Sequence, residues 1–335
     1  MHAQRVRAAL RGWGGVGAMA VVCALALGFV LLLPLSQSHG SGGPGLGGQG
    51  VADGRQARAE TCKDPEKQTL SPSGADGPTI DKIKARQGDK RKIVVGVDQN
   101  SYRWGYRNPN TKGAELEGFD IDLAHQIAKD ILGDPDAVQF KAIPTSQRTE
   151  AVKSGRVDMV VRTMTITCER LGEVAFSAPY FKTGQQVLAP KSSPIKGYGP
   201  TLAHQRVCAA AGSTAYARLA HDKMAGKLVA VPNQLDCLVR LQLGEVDAVV
   251  TDAALAASQA AQDPTVELKG APFTTDYYGV AMNKDATDLV RRVNQILVQY
   301  RASGWQASYD KWLSATLGAD SGPSKPPTPD YLRKS

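Results

Sequence analysis

The feature that most constrains this chain is an alternation of short apolar strands with amphipathic helices that runs along it twice. GRVDMVV at 155–161 is echoed by GEVDAVV at 244–250. In the first set, a strand at 92–98 precedes a helix whose apolar positions Ile121, Leu123, Ala124, Ile127, Ala128 and Ile131 recur at helical spacing, with Asp120 where an N-cap belongs. A strand at 138–143, a helix at 147–154 and a strand at 159–161 follow. The second set reads as strands at 206–209, 228–231 and 248–251 with helices at 215–224, 236–243 and 253–262. A strand at 277–282 and helices at 286–302 and 305–317 remain, free to pack on either half. Such alternation means βαβ units and mostly parallel sheets, hence an α/β protein of two lobes. Open parallel sheets bind ligands beyond the carboxyl ends of their strands, which places a site in the cleft between the lobes.

Composition agrees with a folded chain of about two domains, a usual count for 335 residues. With 42% hydrophobic and 21% charged residues it is neither wholly disordered nor a multi-span membrane protein. Lys plus Arg exceed Asp plus Glu by 40 to 32, yet the basic residues are scattered and not interleaved with aromatics, which argues against nucleic acid as a partner. Arg5, Arg7 and Arg11 mark residues 1–15 as a cytoplasmic basic segment ahead of an uncharged apolar run at 16–36. That run fits a spanning anchor of about 20 residues better than a signal core of about 7 to 15, with cleavage after Leu35 the alternative. Cys23 lies inside the apolar run after Val22 and reads as a buried thiol more readily than as a lipid attachment site. Residues 37–61 read as a flexible linker and 318–335, with four prolines, as a disordered tail. The bulk of the chain is then extracytoplasmic, anchored by the N-terminal helix or secreted if cleaved.

Cys62, Cys168, Cys208 and Cys237 fall in the exported part. An even number in an oxidising compartment favours two disulfides over a metal site, for which no CxxC spacing or nearby His speaks. Cys208 ends a strand-like run and Cys237 opens a helix-like one in the same half, so these two pair, leaving Cys62 for Cys168.

The stretch RTMTITCER at 162–170 follows a strand and runs into a helix. Hydroxyls and free N–H groups at such a junction suit a carboxylate, and Arg170 can grip both its oxygens; a surface arginine in a turn is the bland alternative. Arg148 lies near the same edge, either as a second cation for a ligand or as a solvated helix-end residue. Asp252 ends a strand of the second lobe, where it can pair with a ligand ammonium or cap a helix. Gly212, Ser213 and Thr214 form a similar junction, or simply a tight turn. Asp98, Tyr102 and Trp104 end the first strand, the aromatics either covering a ligand or filling the core. His125, His204 and His221 are far apart, and no GxSxG, HExxH or Walker pattern appears, so neither an enzyme nor a metal or other cofactor is expected.

GFDIDLAHQIAKDI (118–131), SGRVDMVVRTMTITCERLGEVAFSAPYFKTGQQVL (154–188), VCAAAGSTAYARL (207–219) and DCLVRLQLGEVDAVVTD (236–252) together resemble the type 3 extracellular solute-binding proteins, in style their actinobacterial glutamate and glutamine group. The resemblance implies a periplasmic-binding-protein-like fold with two crossing strands as hinge, near 180–184 and 274–278. Lobe 1 is then 90–181 plus 276–317 and lobe 2 is 184–274. It implies a monomer that closes on an amino acid and delivers it to an ABC permease and its ATPase. Arg170 matches the α-carboxylate arginine, helped by Thr165 and the backbone around Thr163. Asp252 matches the acid for the α-ammonium, Arg148 the arginine for a side-chain carboxylate, and Ser213 and Thr214 the second-lobe loop. Arg162 replaces a small residue, and Ala210 stands where some members carry a basic one. A cleft with Arg148, Arg162 and Arg170 against Asp98 and Asp252 favours glutamate, then aspartate, then glutamine. An amino-acid-sensing ectodomain and a dehydratase-like enzyme on the same scaffold are the rival readings.

Overall fold

The computed structural model describes residues 62–332; the expectations for the basic N-terminus, the apolar run, Cys23 and the linker lie outside them. Two five-stranded sheets form the centres of two lobes. The first has the order Val138–Ala142, Ile93–Val97, Met159–Val160, Ala281–Met282, Ala175–Phe176. The second has the order Lys227–Val231, Arg206–Ala210, Ala248–Asp252, Gln185–Pro190, Val266–Lys269. In each, the strands of the βαβ units are parallel, with Val95 opposite Phe140 and Met159, and Val207 opposite Leu228 and Ala248. The remaining strands run antiparallel, because they belong to chain that has just crossed between lobes or is about to.

The crossing itself is a ribbon, Phe181–Thr183 paired antiparallel with Asp276–Tyr278. The sequence pattern at 277–282 reads as one strand, whereas the structure holds two, broken at Gly279. Tyr278 ends the ribbon and Ala281 opens a strand of the first sheet. A Cβ at Gly279 would lie 2.8 Å from Ile166, so only glycine lets the chain pass this close as it turns from one sheet to the other.

Helix Phe119–Leu132 buries the apolar face foreseen from its spacing. Its N-cap is Gly118, not Asp120, which lies in the first turn with its side chain turned into the lobe. Helices Thr287–Ser303 and Trp305–Trp312 return to the first lobe, where Leu289, Val293, Ile296 and Trp305 join Val95 and Ile127 in one core. Trp104, a candidate ligand cover, is instead fully buried there, edge-on to Phe119, Phe181 and Tyr278.

Both ends of the described chain wrap the first lobe. Ahead of the first strand, Thr69 donates to the carbonyl of Phe176 at 2.7 Å and Asn294 to that of Leu70 at 2.6 Å. The tail expected to be disordered is laid down over 318–332: Tyr309 donates to the Gly318 carbonyl at 2.8 Å, and the Leu332 N–H to that of Lys67 at 3.0 Å. Proline-rich extended chain has no internal hydrogen bonds, so its order comes from such partners outside it. Disulfides join Cys62 to Cys168 and Cys208 to Cys237. The first ties the leading segment to the short helix Cys168–Leu171 that carries Arg170; the second ties strand Arg206–Ala210 to helix Gln234–Gln242.

Candidate functional site

The carboxyl ends of the strands face one another across the crossing ribbon, and three arginines gather there. Arg148 begins the helix Arg148–Lys153 and is buried. Its Nε donates to the Thr145 carbonyl at 2.9 Å, Nη1 to those of Arg162 and Thr163 at 3.2 and 3.4 Å, and Nη2 to Gly212 of the second lobe at 3.4 Å. Arg170 keeps part of its side chain in solvent; its Nη1 donates to the Thr165 carbonyl at 2.7 Å and its Nη2 to the same Gly212 carbonyl at 2.9 Å. Among the described residues neither guanidinium forms an ion pair with a carboxylate. Burial lowers the proton affinity of both, for Arg148 strongly and with further help from the positive charges of Arg170 and Arg162. Arginine holds its proton regardless, so this direction reports an electrostatic cost that a counter-charge relieves.

Arg162 differs. It is fully buried and ion-paired to Asp98 at 2.8 Å, with further bonds to Thr145 Oγ1 at 3.0 Å and, across the cleft, to Asn233 Oδ1 at 3.1 Å. Asp98 also accepts the N–H groups of Gln99 and Asn100 and the hydroxyl of Ser101. Arg162 and Asp98, both expected in the cleft, thus pair with each other, and the charge of Arg162 is balanced inside lobe 1.

Asp252 is buried at the end of its strand and caps the helix Ala253–Gln262 by position only, without a side-chain bond to it. Its Oδ2 accepts the Tyr278 hydroxyl at 2.6 Å, and Tyr278 pairs through its backbone with Thr165, so one residue of the ribbon connects the acid of lobe 2 to the arginine loop of lobe 1. Burial raises the Asp252 carboxyl, helped by the nearby Asp276, while Arg148 and Arg170 pull it back down. Asp276 is likewise raised by burial.

Ser213 uses its hydroxyl to cap the helix Thr214–Asp222, accepting from the Tyr216 N–H at 3.0 Å. Gly212 beside it has φ 75°, and a Cβ there would sit 2.7 Å from Ser146 Cα, so this contact between lobes requires glycine. Thr163 and Thr165 are buried beneath the arginines. Tyr102 stands apart, with Asn100, Gln234 and Leu235 around a small cavity and its ring against Tyr106. A groove of about 800 Å³ opens from Arg148, Arg170 and Gly212 past Gln185 and Thr274.

Against known proteins, the model of "bacterial extracellular solute-binding proteins, family 3" matches residues 93–315. The chain belongs to that family. This family 3 solute-binding protein is 37% identical over 226 residues, 67% of its length and 82% of the relative's, to the ABC transporter glutamine-binding protein GlnH of Bacillus subtilis. It is 30% identical to the glutamate-binding protein GluB of Corynebacterium efficiens over 72% of its own length and 83% of that protein's. Among solved structures, a solute receptor for L-cysteine from Neisseria gonorrhoeae superimposes with a TM-score of 0.68 at 30% identity, covering 74% of this chain and 99% of that one. Members of the family are solute-binding proteins of transport systems, not enzymes.

Several site residues were not singled out from sequence. Thr145 gives its carbonyl to Arg148, its hydroxyl to Arg162 and Gln234, and takes the Pro232 carbonyl on its N–H at 3.2 Å. Thr167 caps the Arg170 helix, accepting the Arg170 N–H at 3.2 Å, a role that the pattern Thr-x-x-Arg opening a helix announces weakly. Tyr278, Asp276 and the Pro232–Gln234 loop come from parts of the chain that only folding brings here. Asn233 left a clearer signal, since NQLD matches a capping box and the structure shows one.

Proposed function

We propose that this chain captures an acidic amino acid outside the cytoplasm by closing its two lobes on it and presents the closed form to an ABC permease and its ATPase. Glutamate is the favoured ligand, aspartate next and glutamine behind. Arg170 takes the α-carboxylate bidentately, Asp252 the α-ammonium and Arg148 the side-chain carboxylate, with Thr163, Thr165, Ser213 and Thr214 completing the polar shell.

The observation that carries this reading is the contrast among three neighbouring guanidiniums. Arg162 is ion-paired with Asp98, whereas Arg148 and Arg170 converge on the Gly212 carbonyl and, among the described residues, hydrogen-bond to carbonyls alone, with Asp252 nearby but not bonded to either. Leaving a buried cation without a counter-charge is costly, so a ligand bringing two carboxylates stabilises closure more than one bringing a single carboxylate. Glutamine is the competing ligand, favoured by Asp276, which adds a second acid near Arg170 and Asp252. The amino-acid-binding relatives support the ligand class.

Titration calorimetry of the purified protein with glutamate, aspartate and glutamine tests the order. Glutamate is expected to bind tightest, and tighter binding of glutamine would remove Arg148 from the role given to it. Arg170→Ala is expected to abolish binding of all three. Co-purification of a permease with the ligand-loaded protein tests the transport role; recovery of a signalling protein instead would reject it in favour of sensing.

A further inference from the structure

Asp120 is the one deeply buried carboxylate of the first lobe that the proposed site leaves unused. It is 2% exposed, and among the described residues no cation pairs with it. Its oxygens have two partners: Oδ1 accepts the Tyr180 hydroxyl at 2.8 Å and Oδ2 the backbone N–H of Thr163 at 3.0 Å. A buried acid with no cation is expensive, so what it holds is of interest.

Thr163 has φ 40°, a left-handed conformation that is unusual for a β-branched residue. The Arg162 carbonyl and the Thr163 N–H are the two ends of one trans peptide group, so holding one fixes the direction of the other. The Thr163 N–H points into the lobe toward Asp120, while the carbonyls of Arg162 and Thr163 point the other way, to Arg148 Nη1. Without an acceptor at Asp120 the Thr163 N–H would be an unpaired buried donor, and the turn would lose what offsets its strain.

We infer that Asp120 is a positioning residue: by gripping the Thr163 N–H it holds the 162–163 turn in the shape that aims Arg148 at the ligand side chain. The inference rests on the proposed role of Arg148. It makes Asp120 a determinant of selectivity from behind the site, with Tyr180 locking the carboxylate in turn.

Two variants and two measurements test it. Asp120→Ala, provided that it folds by circular dichroism, is expected to weaken glutamate at least tenfold and glutamine less than threefold, because only the former uses Arg148. Asp120→Asn keeps an oxygen for the Thr163 N–H and an amide for the Tyr180 oxygen, and is expected to stay within threefold of the parent for both. The second measurement, amide hydrogen exchange at Thr163, needs no ligand: protection is expected in the parent and in Asp120→Asn, and its loss in Asp120→Ala. Unchanged protection in Asp120→Ala overturns the inference whatever the protein binds. An equal loss for glutamate and glutamine also overturns it, because Asp120 would then be a core residue only. Failure of the parent to bind any amino acid, with the exchange pattern as expected, would reject the proposed function and leave the grip on the turn standing.

Discussion

Arg148 and Arg162 occupy the same cleft and share the carbonyl and hydroxyl of Thr145, yet they are balanced in opposite ways. Arg162 has a carboxylate inside its own lobe and reaches across to Asn233 with what remains. Arg148 has four carbonyls and no carboxylate. A carbonyl dipole offsets part of a cation's lost hydration, whereas a carboxylate offsets the charge itself. Both reach the second lobe, Arg162 through Asn233 and Arg148 through the Gly212 carbonyl, but of the two only Arg162 has its charge balanced by a carboxylate.

The largest effect that this contrast predicts is on stability. Asp98→Ala leaves Arg162 buried and uncompensated and is expected to destabilise the protein by about 3–5 kcal/mol in urea denaturation. Arg148→Met removes a charge with no carboxylate partner but leaves four carbonyls without their donor, and is expected to cost clearly less stability than Asp98→Ala; an equal loss would erase the distinction between the two arginines. In binding the order reverses. Arg148→Met is expected to cost glutamate about 1.5–3 kcal/mol, the range for a hydrogen bond to a charged group, and to bring glutamate and glutamine closer together in calorimetry. Asn233→Ala removes the reach of Arg162 across the cleft together with the side-chain half of the capping box of helix Gln234–Gln242, a loss of about 1 kcal/mol in stability. It is expected to weaken every ligand alike by about 1 kcal/mol, with small-angle scattering showing a more open unliganded protein.

The smallest effect concerns pH. Burial pushes the Asp120 carboxyl up to about 7, against bonds from Tyr180 and Thr163 that lower it. A carboxyl whose folded value lies above its usual 3.8 binds its proton more tightly when folded, so its contribution to stability is present below about pH 4 and fades as pH rises to about 7. Asp120→Asn does not titrate and is expected to flatten the stability profile across that window; an unaltered profile would mean that Asp252 and Asp276 carry the dependence.

The alternation of elements, the buried face of helix Phe119–Leu132 and the arginine-bearing junction after the third strand were all legible in the sequence, because each is a local pattern with a period or a neighbour to reveal it. Gly118 holds the cap in place of Asp120 at φ 136°, where a Cβ would collide with the Trp104 carbonyl oxygen, a constraint set by another part of the chain. The strand at 277–282 breaks where the chain leaves its pairing with Phe181–Thr183 for a place beside Met159–Val160, two partners that no local pattern names. Nothing near 323–329 in the chain predicts the surface that holds the tail.

By itself the sequence determined that two α/β lobes would form, that four cysteines would be oxidised in pairs and that Arg148, Arg162 and Arg170 would stand near one strand edge, for these follow from spacing and composition. Only the tertiary structure decided which of those cations is already satisfied. Charge balance is a sum over everything within a few ångströms, and Asp98, Thr145, Asn233, Gly212 and Tyr278 reach that radius from distant parts of the chain only after it has folded.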